Sequence, residues 1–289
     1  MISVDTKLVA LLGNPLGQSL STRMQGAAFS HCKLNYEYLP IETRADTLRP
    51  IVAGIRGMNF AGLSVTKPDK IAIMQELDSL DEFAEKIGAV NTVVVQKDGA
   101  LKGYNTDGAG FIRSLGEHYG KPLSQSRFVC LGAGGAARAI CCSLAYNGAM
   151  DITVTSLFDT DSEALVKSIN ERFAPVASVL PWGDWKALEE RAAFADVIIN
   201  ATGVGMGAHT GESPVSAGVF HKGMLAFDAA YNPAVTRFLS DAAASGCETM
   251  NGLGMLLYQG TAQFELWTGI KAPEDVMRAV LESSLGIKT

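Results

Sequence analysis

The sequence predicts an α/β fold divided into two domains. The chain has 289 residues, enough for two domains that each bury a core of their own. Short apolar runs alternate with amphipathic stretches, which is the pattern of strands separated by helices. One of these runs leads into a glycine-rich turn and then into good helix formers, in "RFVCLGAGGAARAI" at 127–140. A strand, turn and helix of this kind indicate a Rossmann-type second domain.

The first domain is predicted to contain five strands. They are "KLVALLG", "YEYLPI", "FAGLSVT", "NTVVVQ" and "ALKGYN". Asp98-Gly99 joins the last two strands, and this dipeptide favours a hairpin turn. Helices are predicted over 21–31 and 70–76. A further helix is predicted from Asp107 to about Tyr119. Thr106 would cap this helix, and Asp107 would lie in its first turn.

The second domain is predicted to contain a series of strands that alternate with helices. The strands are "RFVCLGAGG", "DITVTSLF", "ASVLPW", "DVIINATG" and "MLAFDAAY". Two helices follow: "GMLLYQGTAQFELWTG" is apolar all round and should be buried, and "APEDVMRAVLESSL" has Pro273 in its first turn. We place the domain boundaries near 105 and 250. Residues 1–105 form one domain, completed by the last helices at 252–289, and residues 106–251 form the other.

Composition and charge exclude several classes of protein. The net charge is −6 without a basic stripe, so nucleic acid is not an expected partner. No signal peptide and no run of 18 apolar residues is visible, so no membrane association is expected. The five cysteines lack CxxC spacing, which favours a reducing cytoplasm without disulfides. The four histidines are scattered, and no metal site is expected.

The glycine-rich turn carries the clearest chemical signal. Gly132, Gly134 and Ala137 match the pattern G-x-G-x-x-G/A after a strand and before a helix. Glycines there let the backbone approach a pyrophosphate, whose charge the helix N-terminus stabilises. The pattern therefore predicts a dinucleotide-binding domain.

The next strand of that domain bears on the choice of dinucleotide. Asp159 follows Ala137 at close to the spacing of about 20 residues expected for a carboxylate that binds the adenosine ribose. No Arg or Lys occurs from Asp151 to Glu163 to neutralise a 2′-phosphate. The sequence thus predicts NAD, with NADP as the alternative. Two alternatives also stand. Asp159 would simply cap the next helix, or, if Asp159 lay out in solvent, Arg138 at the start of the helix after the glycine turn would reach the phosphate.

Four polar loops flank the predicted strands of the first domain: those that carry Ser19 and Ser21, Lys70, Asn91 and Asp107. Lys70 stands at a predicted helix start, where a cation opposes the helix dipole and is misplaced as a structural residue. Asn91 begins a strand, and "GNPLGQSLS" places the hydroxyls of Ser19 and Ser21 at i and i+2 of an extended loop, where both point to one side. Each feature alone is more typical of a cap or a turn. Together, beside a nucleotide site, they indicate a small polyhydroxylated ligand with an anionic group.

The ordered motifs resemble those of the shikimate/quinate dehydrogenase family over nearly the whole chain. They are "GNPLGQSLS", "GLSVTKPDK", "GAVNT", "GYNTDGAG", "GAGGAARA", "NATGVGM", "YNPAVT" and "GLGMLLYQG" followed by "F..WTG". The resemblance implies an N-terminal substrate domain and a dinucleotide-binding domain. It also implies that Lys70 and Asp107 are the catalytic acid–base pair.

The resemblance assigns further roles to residues of both domains. The residues implied to hold substrate are Ser19, Ser21, Ser64, Thr66, Asn91 and Gln259. Those implied to hold the cofactor, with Asp159 added from its spacing, are Gly132, Ala133, Gly134, Gly135, Ala136, Asp159, Thr202, Gly203, Tyr231 and Gly252.

The chain departs from the family pattern at three places. Gln18 and Thr22 replace the outer residues of His-Ser-x-Ser-Pro in the first loop. Ser64 stands where biosynthetic members often have Asn, which resembles the branch that accepts quinate. "TSLFD" replaces the Asn-Arg-Thr that holds the 2′-phosphate in NADP-dependent members.

These observations predict an NAD(P)-dependent dehydrogenase, with NAD preferred, that acts as a monomer or homodimer. It would interconvert shikimate with 3-dehydroshikimate and quinate with 3-dehydroquinate. Two alternatives stay open: a relative that acts on another substrate such as an aminoshikimate, and a sensor that binds such ligands without turnover. The intact Lys70 and Asp107 argue against the sensor.

Overall fold

The computed structural model of the chain describes residues 2–17 and 19–287. Gln18, one of the departures from the family pattern, lies outside them. Internal contacts divide the chain into two compact units. The described residues up to Gly110, together with those from Leu257 onward, form the first unit, and Phe111–Leu256 form the second. Each unit contains a six-stranded sheet. The α/β fold in two parts is as predicted, while the assignment of a function to each part stays a prediction.

The sheet of the first unit is mixed. Its strands are β1 (Lys7–Gly13), β2 (Tyr36–Glu42), β3 (Phe60–Val65), β4 (Ser79–Leu80), β5 (Thr92–Val95) and β6 (Leu101–Tyr104). Their order across the sheet is β2-β1-β3-β5-β6-β4. Strands β2, β1 and β3 are parallel, and β5 is antiparallel to both β3 and β6. The predicted hairpin between β5 and β6 is confirmed, with Gly99 at a positive φ of 86° in its turn.

Helices cover the first sheet. They are α1 (Ser21–His31), α2 (Leu48–Ile55), α3 (Glu82–Ile87) and, near the end of the chain, α10 (Glu274–Ser284), which packs against α1. Two further helices, α4 (Asp107–His118) and α9 (Leu253–Thr268), contain the points at which the chain passes between the units. As predicted, α9 is largely buried.

One predicted helix of the first unit is wrong in extent and type. Only Ala72–Glu76 is helical, as a short 3-10 helix, and Lys70 lies in the turn before it. A helix of five residues has almost no macrodipole, because the dipole grows from aligned peptide units. A cation at this position is therefore not opposed by a helix dipole, and the role predicted for Lys70 rests on its contacts.

The sheet of the second unit is entirely parallel. Its strands are β7 (Arg127–Leu131), β8 (Asp151–Thr155), β9 (Ala177–Val179), β10 (Val197–Asn200), β11 (Leu225–Asp228) and β12 (Glu248–Asn251). Their order is β12-β11-β10-β7-β8-β9, so the chain builds outward from β7, first to one side and then to the other. The topological switch point lies between β7 and β10, and ligands of such sheets bind beyond the carboxyl ends of the strands at that point.

Four helices belong to the second unit alone. They are α5 (Gly135–Tyr146), α6 (Asp159–Arg172), α7 (Trp185–Ala192) and α8 (Arg237–Ala244). Strand β12 is not among the predicted strands, because only Met250 of its four residues is buried. An edge strand of this kind carries no apolar alternation to detect. In the described part of the chain, no helix combines the length and the apolar character needed to cross a membrane.

Candidate active site

The first unit brings Lys70 and Asp107 together. Lys70 lies in the turn after β3, and Asp107 is the first residue of α4. Lys70 Nζ is 2.5 Å from Asp107 Oδ2, and the two side chains are only 19% and 10% exposed. The backbone fixes the turn, because Val90 N donates to Lys70 O at 2.8 Å. An ammonium carries three N–H donors, so this pair leaves Lys70 with further donors for a ligand.

Asn91 holds the other side of the same carboxylate. Its Nδ2 donates to Asp107 Oδ1 and to Thr106 Oγ1, both at 2.9 Å. Its Oδ1 accepts from Thr106 N at 2.8 Å and from Thr92 Oγ1 at 2.7 Å. Both amide donors and the amide oxygen are therefore engaged by the protein. Asn91 was predicted to hold substrate, and its contacts are those of a residue that positions Asp107.

Thr106 stands at the N-cap position of α4, as predicted, and its carbonyl accepts from Gly110 N at 2.9 Å. Thr106 Oγ1 donates to Gln259 O at 3.1 Å and lies against Asn91. The amide of Asp107 instead donates to Asn105 Oδ1 at 3.1 Å. The buried network around Asn91 requires the threonine hydroxyl, since a buried polar group without a partner is costly. "GYNTDG" is thus a helix start whose side-chain cap is supplied by Asn105.

Gln263 is a buried residue that the sequence interpretation missed. Ser64 Oγ donates to Gln263 Oε1 at 3.1 Å, and Gln263 Nε2 donates to Asn91 O at 3.1 Å and to Thr92 Oγ1 at 3.0 Å. The sequence could have identified Gln263, because a polar side chain in a helix that is buried all round must have a hydrogen-bond partner. Gln259, one turn earlier on α9, is also buried, and its backbone carbonyl accepts a hydrogen bond from Thr106 Oγ1.

The loop before α1 is not extended, which corrects the argument for Ser19 and Ser21. Leu20 has helical angles (φ −85°, ψ −7°), and Ser21 is the first residue of α1. Alternation of side chains at i and i+2 applies to extended chain only. Instead, Ser21 N donates to Ser19 Oγ at 3.3 Å. Ser19 is half-buried and Ser21 is buried.

Two further predicted substrate residues lie at the carboxyl end of β3. Thr66 follows the strand, is half-buried, and donates from its amide to Leu12 O at 2.8 Å. A Cβ on Gly13 would be 2.4 Å from Thr66 Cγ2, so glycine is required at that contact. Ser64 lies near Tyr38: burial raises the pKa of Tyr38, and the hydroxyls of Ser64 and Ser21 oppose that shift.

In the second unit, the glycine turn follows β7 as predicted. Gly132 has a φ of +106°, and a Cβ there would be 2.9 Å from Ala201 O, so only glycine fits. Gly134 caps α5 without a side chain, and nothing lies within 4 Å of a Cβ placed on it. Gly135 is exposed, and Ala133 and Ala136 are half-buried. Uncapped helix amides beside open space fit a pyrophosphate.

Asp159 lies at the start of α6, where its side chain joins two loops. Its Oδ1 accepts from Trp182 N at 3.0 Å, which ties the loop after β8 to the loop after β9. The alternative that Asp159 caps α6 does not hold, because its carboxylate accepts from Trp182 in another loop and α6 has no side-chain cap hydrogen bond. Leu157 and Phe158, just before it, are 66% and 65% exposed. The region next to the predicted ribose position therefore presents apolar side chains and the carboxylates of Asp159 and Asp161.

Asn200 and Asp228 form a buried network at the ends of β10 and β11 that the sequence interpretation missed. Asn200 Oδ1 accepts from Thr202 Oγ1 at 2.7 Å and from Thr202 N at 3.1 Å. Asp228 accepts from Asn200 Nδ2 at 3.1 Å, Thr236 Oγ1 at 2.6 Å and Ala230 N at 2.9 Å. Burial raises the pKa of Asp228, and these three donors oppose the shift. The network fixes the start of the loop that carries Thr202.

The remaining predicted cofactor residues lie near this network. Thr202 is exposed and Gly203 has a φ of +85° in the loop after β10. Tyr231 is half-buried, and burial raises its pKa. Gly252 is explained by packing, because a Cβ there would be 2.1 Å from Ala229 O. Within residues 2–17 and 19–287, no group of three His, Cys, Asp or Glu side chains could hold a metal ion.

The second unit has a glycine turn beside the switch point of a parallel sheet, and the first unit has a lysine–carboxylate pair. Together these features are typical of the class of two-domain nicotinamide-dinucleotide dehydrogenases. The comparisons with known proteins identify the family. Residues 11–93 match the family description "Shikimate dehydrogenase substrate binding domain", and residues 252–282 match "Shikimate 5'-dehydrogenase C-terminal domain". The chain belongs to the shikimate/quinate dehydrogenase family.

Individual relatives match over almost the full chain. The shikimate dehydrogenase (NADP(+)) of Dehalococcoides mccartyi is 41% identical over 99% of this chain and 98% of its own. The crystal structure of shikimate 5-dehydrogenase from Listeria monocytogenes, in complex with shikimate and NAD, has a TM-score of 0.91 at 38% identity over 97% and 98% of the two chains. Quinate dehydrogenase from Corynebacterium glutamicum, in complex with NAD, has a TM-score of 0.89 at 30% identity over 96% and 99%.

Proposed function

We propose that this enzyme interconverts shikimate and 3-dehydroshikimate, and also quinate and 3-dehydroquinate, with a nicotinamide dinucleotide. The observation that carries the proposal is the Lys70–Asp107 pair, at 2.5 Å, little exposed and held by Asn91. The names of the Dehalococcoides and Listeria relatives support shikimate as a substrate, and that of the Corynebacterium relative supports quinate.

In this proposal, Lys70 and Asp107 manage the proton of the reacting hydroxyl. Oxidation of a secondary alcohol removes a hydride from carbon and a proton from oxygen, and the bound nicotinamide supplies the hydride chemistry. Lys70 donates a hydrogen bond to the oxygen and stabilises its developing negative charge. As the hydroxyl proton moves to the Lys70 nitrogen, one proton of that nitrogen moves to the Asp107 carboxylate, so the pair holds one more proton after the oxidation. Asp107 keeps the ammonium in place and orients the hydroxyl. Asn91 acts as a positioning residue for Asp107.

The remaining roles in this proposal are those that the family resemblance implies, with Asp159 added from its spacing. Ser19 and Ser21 bind the substrate carboxylate, and Ser64, Thr66 and Gln259 bind its hydroxyls. The turn from Gly132 to Ala136 holds the pyrophosphate, supported by the uncapped start of α5. Asp159, Thr202, Gly203, Tyr231 and Gly252 complete the cofactor site in this proposal. The first unit is therefore the substrate domain and the second the dinucleotide-binding domain.

The proposal includes a preference for NAD over NADP. The segment from Asp151 to Glu163 contains no Lys or Arg, and its exposed residues include Leu157 and Phe158. A 2′-phosphate would meet apolar side chains and the carboxylate of Asp159, which repels it. The preference departs from the Dehalococcoides relative, which is named for NADP(+), and agrees with the NAD complexes of the Listeria and Corynebacterium proteins.

One panel of assays tests the function. Purified enzyme is given shikimate or quinate, each with NAD or NADP, and reduction of the cofactor is followed by absorbance. We expect turnover with both substrates and kcat/KM at least about tenfold higher with NAD, a difference of about 1.4 kcal/mol. Binding of both substrates without turnover would instead identify a sensor. Turnover confined to an aminoshikimate would identify a relative with another substrate.

A further inference from the structure

A cavity of about 160 Å³ opens at the amino-terminal end of the second sheet. It lies beside Arg127 and Asp151, the first residues of the paired strands β7 and β8. The glycine turn follows the opposite end of β7, so this cavity is separate from the predicted pyrophosphate site. A single water needs only roughly 10–15 Å³ of such space. The cavity is thus large enough for a small molecule.

The charged groups around the cavity leave an excess of positive charge. Arg127 and Arg191 contribute two guanidinium groups, and Asp151 contributes one carboxylate, 3.6 Å from Arg191 Nη2. Within residues 2–17 and 19–287, the guanidinium of Arg127 takes part in no hydrogen bond or ion pair closer than 4.0 Å. The next carboxylate, Asp196, is already bonded to Lys121 at 2.6 Å. One negative charge would balance the cavity.

Thr153 gives an independent sign of a ligand. This residue is 1% exposed and lines the cavity, yet its Oγ1 has no hydrogen-bond partner in the described residues. A buried hydroxyl without a partner carries a free-energy cost. An acceptor atom in the cavity would remove that cost.

The remaining walls are apolar. Phe128, Val129 and Ala195 line the cavity, and Phe194 extends the surface with 72% of its side chain exposed. Inorganic anions gain nothing from such walls, whereas an apolar body gains from each square ångström that it buries there. The chemistry of the lining therefore favours an organic anion.

We propose that this cavity is a second binding site, for a small organic carboxylate with an apolar body. The carboxylate binds between the guanidinium groups of Arg127 and Arg191, and one of its oxygens accepts from Thr153 Oγ1. The apolar body contacts Phe194. Arginine suits this role because its planar fork matches a carboxylate.

The test is a titration of the isotopically labelled full chain with sodium benzoate, followed through its amide NMR signals. We expect saturable shifts at Arg127, Asp151, Thr153 and Phe194. Any binding in the first unit is reported separately by the amides of Asn91 and Asp107. Benzyl alcohol has the ring without the charge, and inorganic phosphate has the charge without the ring. Both should bind at least about tenfold more weakly.

Variants decide whether the cavity residues form the site. Arg191→Gln should weaken benzoate binding about tenfold or more, the change expected for loss of a charged hydrogen-bond partner. Lys186→Gln, on the same helix but outside the cavity, is the matched control and should bind as the wild type does. Thr153→Val removes only the hydroxyl and should also weaken binding, which provides a second test if Arg191→Gln folds poorly. Equal affinities in Arg191→Gln, Thr153→Val and Lys186→Gln, or equal binding of phosphate and benzoate, would overturn the proposal.

Discussion

Asn91 Nδ2 donates to Asp107 Oδ1 at 2.9 Å, the carboxylate oxygen that Lys70 does not contact. The two oxygens of Asp107 are thus held by different partners, which fixes the plane of the carboxylate. Fixed groups of this kind lose little entropy when a substrate binds, because their orientation is already set. Lys70 is therefore already in position before a ligand hydroxyl binds.

Replacement of Lys70 by alanine should lower kcat by a factor of roughly 10²–10⁴, the range for loss of a positioned acid or base. The KM for substrate should change much less. Steady-state kinetics measures both. Lys67→Ala, an exposed lysine of the same turn, is the matched control and should leave kcat near the wild-type value. Near-normal turnover in Lys70→Ala would make Lys70 a structural residue.

Asp107→Asn should impair both kcat and the apparent affinity for substrate. The variant keeps an acceptor for Asn91 but loses the charge that holds the Lys70 ammonium at 2.5 Å. Kinetics should be accompanied by thermal melting, since Asp107 also begins α4. A variant that melts earlier yet turns over at the normal rate would show that the carboxylate serves the helix and not the reaction.

The double variant Ser19→Ala and Ser21→Ala should raise KM markedly while kcat changes less. Its free energy of unfolding should also fall by roughly 1 kcal/mol, because Ser19 Oγ accepts the amide at the start of α1. Ser30→Ala, an exposed serine of the same helix, is the control for loss of a hydroxyl. If the double variant loses only stability and keeps its affinity for substrate, the two serines form a turn and do not bind the carboxylate.

Asp159→Asn should narrow the ratio of kcat/KM values for NAD and NADP, mainly by improving the use of NADP. The amide keeps an oxygen for Trp182 N, so the loop contact survives while the negative charge is removed. Asp161→Asn, also in the first turn of α6, is the control for a general loss of charge. A preference of the wild-type enzyme for NADP would contradict the proposal. Equal NAD-to-NADP ratios of kcat/KM in Asp159→Asn and Asp161→Asn would show that Asp159 does not cause the preference.

Asp196 should contribute to stability in a pH-dependent way. Its burial raises the pKa of the carboxyl, but hydrogen bonds from Lys121 and Arg127 N lower it more, so the pKa lies below its usual value of 3.8. A lowered folded-state pKa stabilises the protein above 3.8, and the contribution is lost as the pH falls through the folded-state value.

Asp196→Asn should therefore cost about 1–3 kcal/mol at neutral pH, with a difference from wild type that shrinks on acidification. Urea unfolding at several pH values measures this. Asp5→Asn, an exposed aspartate, is the control. A difference that does not depend on pH would contradict the assignment.

The sequence predicted most strands and the glycine turn because both depend on local patterns. Buried parallel strands are continuous apolar runs, and Gly132 is required by the backbone of its own turn. The pair of Lys70 and Asp107 came from the family resemblance, and the structure brings these residues together. The position of Thr106 at the start of α4 was predicted, but the role of its side chain was not, because its hydroxyl joins a buried network whose members come from distant segments, including Gln259 on α9. No local propensity encodes such a network.

The last helices of the chain have a consequence for its synthesis. Trp267 Nε1 donates to Val93 O at 3.0 Å and Gln263 Nε2 donates to Thr92 Oγ1 at 3.0 Å, so two residues of α9 bond to strand β5. On the ribosome, β5 emerges long before α9, whereas Phe111–Leu256 is one uninterrupted segment. The unit that is translated first therefore lacks these contacts until α9 has been made. We expect the later unit to fold earlier, which inverts the usual order of folding from the N-terminus during translation.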